Sequence, residues 1–374
     1  MSATPTLRIE EGTCWVLVAY DLGYGIDLEA AQQKFAREAE RERILHQRRS
    51  PSYLQFRPPP LRIDQEAEAL EVAGFATDTR VESTLYDFGA VSVGYRIPIS
   101  GCSLEDLVPL AGTLFENPTL LADSRRRAAS LLERLGDAVA RPGLAELAED
   151  YFVFEVRRWQ PAESAAVLVD RERELVARVL LGENEPLRAS EVEDAHSCRI
   201  GYGNRDEVVL DWNGAFVFEA HAADTLAVLE FANVELLEMR FLDDRLDVAL
   251  ERSLEALRAH GSARWWRALI DSPRLDLRRI AGLQMDSALL FEGVNNAIKL
   301  LGDQYLARLY RLAARRFHLA DWDASILRKL QTLESIYDKL SDEQGTRRME
   351  VLEWIIIVLI AVSTVIPFLV GGAK

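Results

Sequence analysis

Few residues of this chain are of types and spacings that do chemistry. Gly23 and Gly25 form a G-x-G between a short apolar run, Cys14 to Tyr20, and a helix predicted from Leu28 to Leu45 with Asp27 as its N-cap. A phosphate cradle there needs a further glycine or a Gly-Lys-Ser/Thr ending, so a plain turn is favoured over a nucleotide site. His196 and Cys198 supply one imidazole and one thiol without the second pair a zinc site requires. No G-x-S-x-G elbow, P-loop or H-E-x-x-H motif occurs. Acid pairs such as Asp243-Asp244 and Glu235/Glu238 read as solvated helix faces in a chain with 60 acids. Asn233 and Arg240, one heptad apart, read as polar registry contacts inside a helical bundle. The sequence thus predicts no catalytic residue, no metal ligand and no cofactor.

Chemistry of another kind sits between residues 41 and 62. Arg41, Arg43, Arg48, Arg49, Arg57 and Arg62 face the single acid Glu42, with Tyr53, Phe56 and the run Pro58 to Pro60 among them. Basic residues interleaved with aromatics suit a phosphate backbone, RNA or an anionic lipid surface. The plainer reading, a polyproline-like connection with solvated arginines, is preferred. The segment remains the local candidate for an anionic partner, protein or ribonucleoprotein. The chain as a whole carries 44 basic and 60 acidic residues, a net charge of -16, which argues against blanket binding to nucleic acid or anionic lipid. Three widely spaced cysteines, Cys14, Cys102 and Cys198, fit a reducing compartment without a disulfide framework.

The elements that position these residues change character along the chain. Val81 to Tyr86 and Ala90 to Ile97 flank Asp87-Phe88-Gly89, a hairpin signal, and Ser103 caps a helix with acids in its first turn. A helix is predicted from Ser124 to Ala140 and a strand from Tyr151 to Val156; Asn213-Gly214 punctuates a second hairpin. After Ala222 the pattern is helical throughout. Thr225 to His260 is one long periodic segment, and Ile326, Leu330, Leu333, Tyr337 and Leu340 form a heptad seam suited to self-association. From Trp354 to Ala373 no charge occurs, enough helix to span a ~30 Å hydrocarbon layer. Arg347 and Arg348 before that span, with only Lys374 after it, predict a body on the cytoplasmic side of a bacterial inner membrane.

The fold expected is α+β. Residues 1–220 form an N-terminal α/β domain with a short mixed or antiparallel sheet, in two sub-parts joined near 41–62. Residues 221–345 form a long-helix bundle or coiled-coil stalk, and 352–373 a single C-terminal transmembrane helix.

The run from Arg347 through Leu352-Glu353-Trp354 into the apolar tail resembles the closing pattern of the Rmd1/YagE (DUF155) family. Asp87 to Val93 resembles that family's N-terminal strand, and Phe241 to Leu250 its Arg-Leu-Asp-Val helical segment. The resemblance implies a membrane-anchored protein that assembles into large complexes without established catalytic residues. The expectation is therefore a non-enzymatic, tail-anchored scaffold or interaction protein in contact with the lipid bilayer. It homo-oligomerises through its C-terminal helices, with Arg347, Arg348, Leu352, Glu353, Trp354 and Pro367 at membrane entry and anchor. Two alternatives stand beside it: an ion channel or transport assembly like CorA, whose second membrane helix and Gly-Met-Asn signature are missing here, and an enzyme with an unrecognised site.

Overall fold

Fourteen residues, Arg8–Asp21, make the strand on which the sheet is built. The computed structural model describes residues 7–36, 39–41, 58–203, 205–260, 282, 304–336 and 338. In chain order β1 (Arg8–Asp21), β2 (Gly25–Ile26), α1 (Leu28–Lys34), β3 (Ala39–Arg41), β4 (Leu61–Glu66), β5 (Glu71–Val72), β6 (Phe75–Ala76), β7 (Arg80–Leu85) and β8 (Ala90–Pro98) come first. Then follow α2 (Leu104–Leu114), α3 (Pro118–Leu135), β9 (Val139–Ala140), β10 (Glu149–Gln160), α4 (Ala165–Arg171), α5 (Arg173–Leu181), α6 (Ala189–Ala195), β11 (Arg199–Gly201), β12 (Glu207–Leu210) and β13 (Gly214–Phe218). The described remainder is helical: α7 (Ala223–His260), α8 (Gln304–Arg316) and α9 at 319–336.

One nine-stranded sheet runs in the order β11-β12-β13-β10-β1-β8-β7-β4-β3. It is larger than the short sheet expected, and mixed: every pair is antiparallel except β10 with β13. That parallel pair needs a crossover, which α4 to α6 supply. β1 alternates between exposed and buried at its start and is buried throughout its last six residues, as a central strand covered on both faces must be.

Local chemistry explains the punctuation. Gly89, at φ +113°, turns the β7–β8 hairpin, and Asp211 donates its amide to the Gly214 carbonyl at 2.8 Å across the β12–β13 turn. Ser103 and Asp106 close a reciprocal capping box at the start of α2, satisfying two orphan donors. Two helices end earlier than their periodicity suggests. α1 stops at Lys34 instead of Leu45, because the chain re-enters the sheet at Ala39. α3 stops at Leu135, because Gly136 takes φ +50°.

Helices α1 to α5 cover one face of the sheet, where Val16, Val18, Val91, Val93, Phe154 and Phe216 form the core with Leu107, Leu131 and Leu168. Two tyrosines carry polar groups into this layer and find partners. Tyr95 Oη donates to Asp123 of α3 at 2.7 Å, and Arg127 holds the same carboxylate at 2.6 Å. Tyr20 Oη lies 2.8 Å from Ser124 Oγ.

The chain divides into two compact units, Met1–Leu242 with Asp286–Asp323, and Asp243–Met285 with Ala324–Lys374. In the second unit Lys329 of α9 ties to α7 by ion pairs with Asp243 at 2.8 Å and Asp247 at 2.5 Å.

The expected membrane span needs correction. Among the described residues no helix is long and apolar enough to cross a membrane. A spanning helix needs about 20 apolar residues in succession, whereas α7, the longest, carries Glu230, Glu235, Glu238, Arg240 and Asp243 within four turns. The transmembrane helix, tail anchor and single-pass inner-membrane placement are set aside on that finding. Residues 352–373 themselves, and Arg347, Arg348, Leu352, Glu353, Trp354 and Pro367, lie outside the described residues.

Candidate functional site: a carboxyl layer between sheet and long helix

Side chains alternate along a strand, so the residues between Tyr95, Val93 and Val91 point away from α3. Ser92 and Gly94 therefore face the opposite side of the sheet, and register aligns them with neighbours on three other strands. Thr84, Ser92, Ala19 and Glu149 form one transverse row across β7, β8, β1 and β10. Glu82, Gly94, Leu17 and Tyr151 form the next. The N-terminal part of α7 packs on this face. Asn233 donates to the Glu149 carbonyl at 3.2 Å, Arg240 pairs with the Glu149 carboxylate, and Phe231 meets the rings of Tyr86 and Phe88.

The layer beneath the helix is acidic and buried. Glu235 is 2% exposed and Asn233 1%. Burial pushes the Glu82 carboxyl up to about 7; Glu230 and Asp64 add to the rise, and Arg62, at 3.2 Å, opposes it together with Arg96. Burial likewise raises Glu149 to about 7 against the pull of Arg240, with Asp150 and Glu116 adding to the rise. Glu235 rises to about 8, chiefly by burial, although the Tyr310 hydroxyl of α8 donates to it. The hydroxyls of Thr84 and Ser92, both buried, have no hydrogen-bond partner among the described residues.

A carboxyl that titrates near neutrality can act as general acid or base when a substrate reaches it. Glu149 and Glu235 are buried and the Glu82 side chain is 12% exposed; Glu82 and Glu149 lie on the sheet, whereas Glu235 meets Tyr310 of α8. A cavity of about 730 Å³ lies at the α5–α6 connection, where Glu183, Glu185, Glu191 and Asp194 outnumber Arg188.

Asn233 and Arg240, expected to meet a neighbouring helix, meet Glu149 at the start of β10 instead. Glu235 and Glu238, expected on a solvated face, are buried. Periodicity missed them because an acid scores as polar wherever it points; Tyr310, 75 residues away, is the partner that gives Glu235 its place.

The other candidates are dispersed. Around Gly23 and Gly25 three amides are engaged by the fold: Leu22 donates to Gly89, Tyr24 to Ala140 and Ile26 to Asp87, at 2.8 to 2.9 Å. His196 Nε2 lies 2.9 Å from the Arg173 carbonyl, while Cys198 Sγ accepts from Arg315 at 3.5 Å, so the two have separate partners. Among the described residues no group of three or more His, Cys, Asp or Glu is placed to hold a metal ion. Of the basic segment, Arg62 lies on β4 paired with Glu82 and Arg41 lies on β3; Arg43, Arg48, Arg49 and Arg57 fall outside the described residues. In the heptad seam Ile326 and Leu333 are buried and Leu330 half-buried, while Tyr337 and Leu340 are outside the described side chains.

A mixed nine-stranded sheet layered with helices, carrying buried acids and a long helix, defines an α+β protein. Residues 11–225 match the family described as uncharacterized protein MJ0711, N-terminal domain, and the chain belongs to that family. Protein MJ0711 of Methanocaldococcus jannaschii is 20% identical over 176 residues, 45% of this chain and 51% of the relative. The match spans about half the length of that relative. No solved structure matches.

Proposed function

We propose that the chain is a non-enzymatic interaction protein that self-associates through the helices of its second unit. One observation carries this reading: Val248 and Leu254 of α7 and Leu327 of α9 are exposed large apolar residues, although Ile326 and Leu333 beside them are buried. Apolar side chains left on a helical surface next to a filled seam suit a helix-to-helix contact with a second copy. The basic segment from Arg41 to Arg62 is a secondary contact for an anionic protein or ribonucleoprotein, with Arg62 contributing least because Glu82 holds it. The finer kinship with Rmd1/YagE proteins rests on the sequence pattern, including the Phe241 to Leu250 stretch, which forms part of α7. Light scattering on the full chain tests the reading. A dimer or larger species is expected, dissociating when Val248, Leu254 and Leu327 are changed to Asp. A monodisperse monomer at high concentration refutes it.

A further inference from the structure

We infer that His196 is an acid-released pin: as a neutral ring it holds α6 against α5, and on gaining a proton it lets that helix go. The inference is independent of self-association, which falls in the second unit. It concerns one short helix of the first.

Geometry carries it. Of the seven residues of α6 only Ala195 is buried and Val192 half-buried; the rest are exposed, so the helix has little packing of its own to hold it. His196, its C-cap, is 8% exposed, and the ring Nε2 lies 2.9 Å from the carbonyl of Arg173 at the start of α5. A carbonyl only accepts, so Nε2 carries the proton and Nδ1 keeps a lone pair. Nδ1 is buried and has no hydrogen-bond partner among the described residues. A further proton lands on that nitrogen and makes a buried donor without an acceptor. The surroundings also disfavour a cation. Arg173 of α5 and Arg199 of β11 face the ring, against the single acid Asp170 of α4. That acid is already shared, since Arg199 pairs with it and Arg173 lies 4.0 Å from it. Burial holds the imidazole below its ordinary 6.5, with Arg173 and Arg199 adding to the fall and the Arg173 carbonyl and Asp170 opposing it. The hold on α6 is therefore complete above about 6.5 and is lost as pH falls below it. The other tie of this helix, Asp194 to Arg316 of α8 at 2.7 Å, is 65% exposed on the acid's side and adds little. Arg316 keeps that carboxyl below its usual range, so the tie does not switch with His196. Ser190, Glu191 and Asp194 of α6 line the cavity at the α5–α6 connection, and release of the helix opens that wall.

Hydrogen exchange on the full chain, followed by mass spectrometry and corrected for the intrinsic effect of pH, tests the pin. From about pH 7.5 down to about pH 5, protection of residues 189–196 should fall about fivefold or more, the effect of one buried donor left unpaired. The buried glutamates titrate with the opposite sign, so α3, read as the reference, should keep or gain protection over the same range. His196→Gln can place an N–H near the Nε2 position and cannot take up the proton, so in this variant α6 protection should not depend on pH. Equal losses in α3 and α6, no loss in α6, or a loss that survives His196→Gln would overturn the inference. Should the variant fail to fold, an NMR titration of the imidazole rings in the unmodified chain decides. One ring that titrates below 6.5 in step with the opening of α6 supports the pin. A low-titrating ring out of step with α6, or all five histidines at or above 6.5, overturns it.

Discussion

Replacing Gly89 with alanine puts the arrangement of three loops at one end of the sheet to a quantitative test. Gly89 sits at φ +113°, and a Cβ built there falls 1.9 Å from the Gly23 carbonyl oxygen and 2.9 Å from its carbon. Both obstacles are backbone, so no side chain can swing aside. A non-glycine residue in that region costs about 1–3 kcal/mol in backbone strain alone. Relief of the clash requires the Gly23 loop to move. That loop is anchored by Leu22 N to Gly89 O, Tyr24 N to Ala140 O and Ile26 N to Asp87 O, each worth about 1 kcal/mol net. Losing two of the three brings the total to about 3–5 kcal/mol, a large part of the ~5–15 kcal/mol that holds a domain folded. Gly74→Ala is the matched control: φ is +81°, yet a Cβ there meets nothing within 4 Å, so strain near the lower end of the range is expected alone. Urea unfolding of both variants gives the comparison. A Gly89→Ala loss within about 1 kcal/mol of the Gly74→Ala loss refutes the claim that the loop amides are locked in the fold.

Arg316 offers a second test, since it holds buried Asp211 at 2.7 Å and exposed Asp194 at the same distance. Arg316→Ala should cost about 3 kcal/mol by stranding Asp211, whereas Asp194→Ala should cost under about 1 kcal/mol, both read by urea unfolding. Global stability should also depend on pH with a definite sign. Glu82, Glu149 and Glu235 have folded values raised above the ordinary 4.5, so their stabilisation is full below about 4.5 and lost as pH rises through about 7 to about 8. Unfolding free energy should therefore fall between about pH 5 and about pH 8.5, and a flat or rising profile contradicts the assignment.

The sheet was largely legible in the residues. Alternation in Val91, Val93, Tyr95 and Ile97, the Asp87-Phe88-Gly89 turn and Asn213-Gly214 are short-range signals, and each corresponds to a strand boundary in the structure. The order of the strands was not, because β1 pairs with β10 and β8 through contacts that no local pattern encodes. The candidate layer was less visible still. Thr84, Ser92, Ala19 and Glu149 are ordinary residues far apart in sequence, and only the register of four strands puts them in a row. Asn233 and Arg240 could be singled out, since a seven-residue spacing places both on one helix face, but their shared target on β10 could not. Apolar count alone suggested the membrane span, an expectation that the charged helices described here do not carry.

The central place of β1 has a consequence for biosynthesis. Arg8 is matched with Gln160 and Thr13 with Pro98, so β1 can complete neither flank until segments far later in the chain have emerged. At about 5–20 residues per second that is a wait of many seconds with Cys14 to Tyr20, a run of apolar and aromatic side chains, uncovered. Such a chain closes its central sheet only through long-range contacts, which are slow to form.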